Sequence, residues 1–215
     1  RRNRRRALIC PRSINREFHR MRLSLTFAIV VGLSASTFAA SKKIDLRTRD
    51  GVATVKGAWR YSEVKLVEVP STAPDKNPPT TYNYEPRATG PDFDDTKWPV
   101  IDPTSLGTPR GGGLICFAWY RTKVTIPESA RGKRVFFQTT VDDYGEVWVD
   151  GKLPFTVGKT GEAIVSGFNT PNRLELKGAT PGRTYQIAVF GINGPISATP
   201  GNRIFLSDTF LELVD

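Results

Sequence analysis

The chain has 215 residues, two cysteines and a formal charge of +10, a length that suits one domain or at most two. Its charge is lopsided. Residues 1–40 hold nine arginines against the single acid Glu17, so they carry +8 and leave +2 for residues 41–215. The basic balance therefore belongs to the leader and is no sign that the remainder binds nucleic acid.

Residues 1–20 read as sequence upstream of the true start, with Met21 the only methionine. Residues 21–40 then follow the pattern of a secretory signal peptide: Arg22, an apolar run from Leu23 to Leu33, and small residues up to Ala39 and Ala40. Cleavage is expected after Ala39 or after Ser41. The apolar run falls short of the about 20 residues that span a bilayer, so no stable membrane span is expected after cleavage. The expected address is the periplasm or the outside of the cell. Cys10 and the only histidine, His19, both lie in this leader. Residues 41–215 thus keep Cys116 alone and no histidine, which excludes an internal disulfide, His-ligated zinc and Ser-His-Asp or Cys-His catalysis. Cys116 lies in the apolar setting Leu114-Ile115-Cys116-Phe117-Ala118 and reads as a buried, inert thiol.

Residues 41–51 read as an N-terminal tail, followed by short apolar strands at Val52 to Trp59 and Val64 to Val69. A proline-rich loop occupies about 70–91, with an edge strand embedded around Tyr82 and Tyr84. Trp119 to Ile126, Val135 to Val141 and Glu146 to Asp150 are β-branched or alternating runs, the last ending in the hairpin pair Asp150-Gly151. Gly161 to Phe168 reads as another strand, with a turn at Asn169 to Asn172. Arg173 to Leu176 and Tyr185 to Phe190 alternate. A glycine- and proline-rich loop spans 191–202, and Ile204 to Val214 reads as a last long strand. No helical period extends over eleven residues. About ten short strands with turn signals between them indicate an all-β fold, an antiparallel β-sandwich of jelly-roll type. Residues 41–215 are long enough to bury a disulfide-free core.

Four motifs in series resemble the galactose-binding-like sandwich that forms the N-terminal sugar-binding domain of β-galactosidases and β-glucuronidases. They are Phe93-Asp94-Asp95-Thr96-Lys97-Trp98, Trp119 to Pro127, Gly132 to Lys152, and Ala179 to Val189. Three others, Val141-Asp142-Asp143-Tyr144, Gly167 to Arg173 and Phe190 to Ser197, resemble the domain ahead of the propeller in secreted bacterial gluconolactonase-like proteins. The resemblance implies a galactose-binding-domain-like fold, a carbohydrate or glycan as partner, and a propeller domain as another. Because the metal site of the gluconolactonase-like family lies in the propeller, its activity is not carried over, and fold is not function.

Sugar sites pair an aromatic platform with planar polar groups, since pyranose rings have apolar faces and hydroxyl edges. The loop residues that fit are Asp142, Asp143, Tyr144, Asn169, Asn172 and Asn193, with Tyr144 as platform. The competing reading is that these Asp and Asn side chains cap their own turns. Asp142 and Asp143 could instead be ligands of a structural calcium, which the resembled fold often carries; no other cofactor is expected. As a general acid/base pair they are weak, because adjacent strand residues face opposite ways unless a bulge intervenes. Gly111-Gly112-Gly113 lacks the Lys-Ser/Thr of a phosphate loop. Arg121 is expected to pair with Asp94 or Asp95 at the sandwich rim. The leading expectation is a non-catalytic carbohydrate-binding module. An accessory domain without a ligand is second and a hydrolase third.

Overall fold

The computed structural model describes residues 41–154, 161–165, 167–194 and 201–215. The expected signal peptide, the segment before it and residues 195–200 of the glycine- and proline-rich loop lie outside the described residues. The described chain begins with strand β1 (Ser41–Asp45), helix α1 (Arg49–Thr54), β2 (Trp59–Glu63), β3 (Lys65–Pro70), β4 (Thr80–Glu85) and β5 (Val100–Ile101). It continues with β6 (Cys116–Thr125), β7 (Arg134–Val141), β8 (Tyr144–Val149), β9 (Pro171–Glu175), β10 (Thr184–Asn193) and β11 (Leu206–Val214). One sheet has the order β1-β11-β7-β9, the other β5-β2-β6-β10-β8, and β3 and β4 form a separate hairpin. All these pairings are antiparallel. From β6 to β11 each successive strand changes sheet, which is the jelly-roll course of an antiparallel β-sandwich, as the strand pattern predicts.

Alternation along the strands builds the core. On β7, Val135, Phe137 and Val141 face inward, and they meet Tyr120 and Val124 of β6, Ile187 and Val189 of β10, and Leu211 and Leu213 of β11. The opposite faces of β6 and β10 are buried as well. Trp119, Ala188 and Phe190 form a second apolar cluster with Val64 and Ala88, joined by Tyr84, Phe93 and Trp98. The cover is the segment from β4 to Trp98, and two side chains fasten it. Trp119 Nε1 donates to the Pro86 carbonyl at 2.8 Å. Arg121, wholly buried, donates to Asp95 Oδ2 at 2.8 Å and to the carbonyls of Ala88, Gly90 and Phe93. The expected Arg121 pairing is therefore real, with Asp95 as the acid.

Four expectations need correction. Residues 41–51 are not a tail, because β1 pairs with β11 from Ser41↔Val214 to Asp45↔Phe210. The stretch from Val52 to Trp59 is not a strand. Thr48 Oγ1 accepts from Gly51 N–H at 3.0 Å and caps α1. Gly51 is required there because a Cβ would lie 1.8 Å from the Asp45 carbonyl oxygen. Among the described residues from Gly161 to Phe168 there is an isolated bridge, Ile164 with Glu146, and no strand. Finally, Pro171 and Asn172 belong to β9, so the turn is shorter than expected, and β10 runs on to Asn193, so the loop starts later than expected. The predicted edge strand in the proline-rich loop is β4, paired with β3. The hairpin at Asp150-Gly151 has φ of 49° and 76°, as a two-residue primed turn requires.

Candidate functional site

One end of the sandwich gathers the expected residues from four separate segments. Asp142 and Asp143 form the turn between β7 and β8, and Tyr144 opens β8 opposite Ile192 of β10. Asn193 ends β10, and the Asn169 backbone N–H donates to the Asp143 carbonyl at 3.0 Å. Around Asp142 the amides converge. Asn193 Nδ2 donates to its Oδ2 at 3.3 Å and to the Arg203 carbonyl at 2.6 Å. With its amide oriented to satisfy both neighbours, Asn169 donates to Asp142 Oδ1 at 3.1 Å and to the Val141 carbonyl at 3.3 Å. Asp143 Oδ2 accepts from Gly194 N–H at 3.2 Å. Asn172 sits deeper on β9 and donates to the Gly145 carbonyl at 3.1 Å, while its Oδ1 is buried with no donor among the described residues.

These residues divide by burial. Asp143 is 4% exposed, and Asn172 and Asn193 are buried as well, so they tie loops together. Tyr144 (38% exposed), Asn169 and half-buried Asp142 face solvent. Phe168, next to Asn169, is 64% exposed; it is an aromatic that the residue pattern alone did not single out, because its segment reads as a strand. The packing of β8 and β10 at this end against Val141 and Ile204 relies on glycine. A Cβ on Gly145 would lie 2.5 Å from Val141 Cγ2, and one on Gly191 would lie 2.7 Å from Ile204 Cγ2.

Burial first, then the neighbouring Asp143 carboxylate, pushes the Asp142 carboxyl above the usual range, and Asn169 opposes the shift. A carboxyl raised in the folded state disfavours folding above its folded pKa. That cost is relieved as pH falls through the folded pKa towards the unfolded value of about 3.9. Asp143→Asn is expected to move the Asp142 titration down, read by carbon-13 NMR of the side-chain carboxyls. An unchanged Asp142 curve would leave burial as the only cause.

Among the described residues no group of three or more His, Cys, Asp or Glu side chains gathers. Asn193 and Gly194 offer N–H groups to these carboxylates, while the Val141 carbonyl and the Asn169 amide lie beside Asp142; calcium takes six to eight oxygens. No step below is routed through that ion. Nor is the pair set up for acid/base work. Asp143 is buried and its Oδ2 accepts from a backbone N–H, so this carboxylate acts as a structural acceptor. Cys116 is buried beside this end, 4.0 Å from the Arg110 carbonyl, and burial pushes its thiol up, away from nucleophilic use.

A groove of about 840 Å³ lies elsewhere, between the β3–β4 hairpin and the turn from Phe93 to Trp98. Loop-end geometry and cavity thus point to different places on the same sandwich.

No family model matches the chain, and no curated protein matches it. Solved structures do. A calcium-binding mutant of β-glucuronidase 2 from Bacteroides uniformis aligns at 16% identity and a TM-score of 0.49, over 81% of this chain and 18% of that one. A glycosyl hydrolase family 2 member from Bacteroides cellulosilyticus aligns at 16% identity and a TM-score of 0.45, over 81% and 20%. A β-glycosidase from Bacteroides vulgatus aligns at 15% identity and 0.42, over 77% and 20%. The chain therefore spans about a fifth of the length of these proteins. Likeness at this level carries no argument about activity. These neighbours lend no support to the propeller relationship. Among the described residues no helix is long and apolar enough to cross a membrane.

Proposed function

We propose that the chain is a secreted or periplasmic, non-catalytic carbohydrate-binding module that reads a glycan with the loops at one end of the sandwich. The supporting observation is the grouping of Asp142 and Asn169, hydrogen-bonded to one another, at the turn that carries the exposed Tyr144 two residues on from Asp142. An exposed ring offers a face for the C–H surface of a pyranose, and the carboxylate and amide offer planar edges for its hydroxyls. Asp143, Asn172 and Asn193 act in this reading as the buried ties that hold the loops in register. The near-neutral charge of residues 41–215 and their lack of histidine fit recognition of a sugar better than nucleic-acid binding or hydrolysis.

A second reading is an accessory domain without its own ligand, for example beside a propeller or a hydrolase. It is favoured by one observation: the acidic and amide side chains of the loop end largely satisfy one another. A glycan array separates the two. The full chain is expected to bind a defined subset of glycans saturably, with Tyr144→Ala weakening binding at least about tenfold. EDTA is expected to leave binding unchanged, and calcium-dependent binding would reinstate the ion. A folded protein silent on the whole array would leave the accessory reading ahead.

A further inference from the structure

The large groove beside the β3–β4 hairpin is built differently from the loop end. Ser62, Asn83 and Arg87 in its lining are hydrogen-bonded, but three charged side chains are not. Glu63, Lys65 and Glu85 line it, and none of their side chains enters a hydrogen bond or ion pair with the described residues. Its aromatic wall is Phe93 and Trp98, half-buried rings with centroids 5.3 Å apart and planes tilted by 54°. Three of the four indole N–H groups have protein acceptors: Trp59 on the Leu46 carbonyl, Trp119 on the Pro86 carbonyl, and Trp148 on Glu146. The fourth, Nε1 of Trp98, a residue that lines the groove, donates to none of the described residues.

The wall is also held in place. Arg60 donates to the Trp98 carbonyl at 2.9 Å, and Trp98 N–H donates to the Asp95 carbonyl at 2.9 Å. Asp95 is in turn bound by buried Arg121, whose guanidinium lies 5.3 Å from the Phe93 ring centroid. An aromatic surface fixed by a buried ion pair, with free donors and acceptors around it, is a preorganised recognition surface.

We propose that this groove is a second binding site, separate from the loop end, and that it takes a neutral pyranose saccharide of one or two rings. Charge selects the class. Glu63 and Glu85 repel an anionic ligand such as a uronate, while Lys65 and Arg87 on the same rim repel an organic cation. A ligand with apolar C–H faces and many hydroxyls suits both the rings and the mixed edges. Carboxylates accept from vicinal hydroxyls, and Lys65 and the Trp98 indole donate to hydroxyl or ring oxygens. The open shape of the groove suits a chain end or a short segment.

The test is a nitrogen-15 NMR titration of the full chain that follows the four indole N–H signals. The probes are methyl glycosides of glucose, galactose, mannose, xylose and N-acetylglucosamine, with cellobiose and lactose, against glucuronate and choline as charged competitors. The expected result is that the Trp98 signal shifts saturably with at least one neutral probe, and more weakly with the charged ones. Trp98→Ala removes the reporter and could disturb its loop, so the deciding variants are Glu63→Gln and Glu85→Gln. Both are exposed and are expected to keep the melting temperature while weakening the shift at least about tenfold together. Tyr144→Ala is expected to leave this titration untouched, so failure at the loop end and failure here are distinguishable. Silence of the Trp98 signal towards every neutral probe would overturn the proposal. So would a larger response to glucuronate or choline, or neutral-sugar binding indifferent to the paired Gln variants.

Discussion

Arg121→Ala is expected to destabilise the fold by about 3 kcal/mol, towards the lower end for breaking a buried ion pair because Asp95 retains some contact with solvent. The loss has two parts. Asp95 keeps only the longer contact from Arg60, at 3.6 Å, and the carbonyls of Ala88 and Gly90 lose their buried donor. At roughly 2–4 °C per kcal/mol for a chain of this size, thermal unfolding reads the change directly. Amide exchange is expected to rise first across residues 86–98, since the segment is fastened to the sheet by this side chain and by Trp119. Arg121→Lys is expected to recover little, because an ammonium cannot reach the carboxylate and several carbonyls at once. If Arg121→Ala unfolded within about 0.5 kcal/mol of the parent, a range typical of surface changes, the hub would be ornamental.

Trp59→Ala is expected to cost about 3–5 kcal/mol, the range for removing a large aromatic from a packed core. Trp59 is among the largest fully buried side chains, and its Nε1 donates to the Leu46 carbonyl at 3.0 Å. Leu46 N–H in turn donates to the Thr209 carbonyl at 2.9 Å, so the tryptophan helps pin the chain between β1 and α1 onto β11. Trp59→Phe keeps most of the volume and removes the hydrogen bond, for an expected loss of about 1–3 kcal/mol with the carbonyl left buried. Denaturant unfolding separates the two variants. Equal losses for Ala and Phe would mean that the hydrogen bond, not the packing, carries the effect.

The strands that carry the fold were legible because each holds its own signal. Val135 to Val141 and Glu146 to Val149 alternate or run β-branched, and Asp150-Gly151 marks its turn whatever surrounds it. What escaped depends on distant partners. Ser41 to Asp45 is polar apart from Ile44 and becomes a strand only by pairing with the far end of the chain. Helix α1 was hidden in a valine-containing stretch, although Thr48 followed by Asp50 is a capping signal, because six residues are too few for a period to show. The segment from Gly161 to Phe168 looks like a strand locally, but its described residues have one bridge to lean on.

The site was legible as a group and not in its roles. Asp142, Asp143, Tyr144, Asn169 and Asn193 do meet at one end, but which of them reach solvent depends on packing from β10 and the loop after it. The groove escaped for a different reason. Glu63, Lys65 and Glu85 look like ordinary surface charges, and Phe93 with Trp98 like core residues. Only their juxtaposition makes a surface.

Calorimetric titration of the full chain with its best array glycan, followed by chromatography of the recovered ligand, tests the carbohydrate-binding reading most directly. The expected result is saturable heat with the glycan recovered intact. No heat from any array glycan, with the protein folded, would contradict recognition; recovery of cleaved glycan would contradict the absence of catalysis.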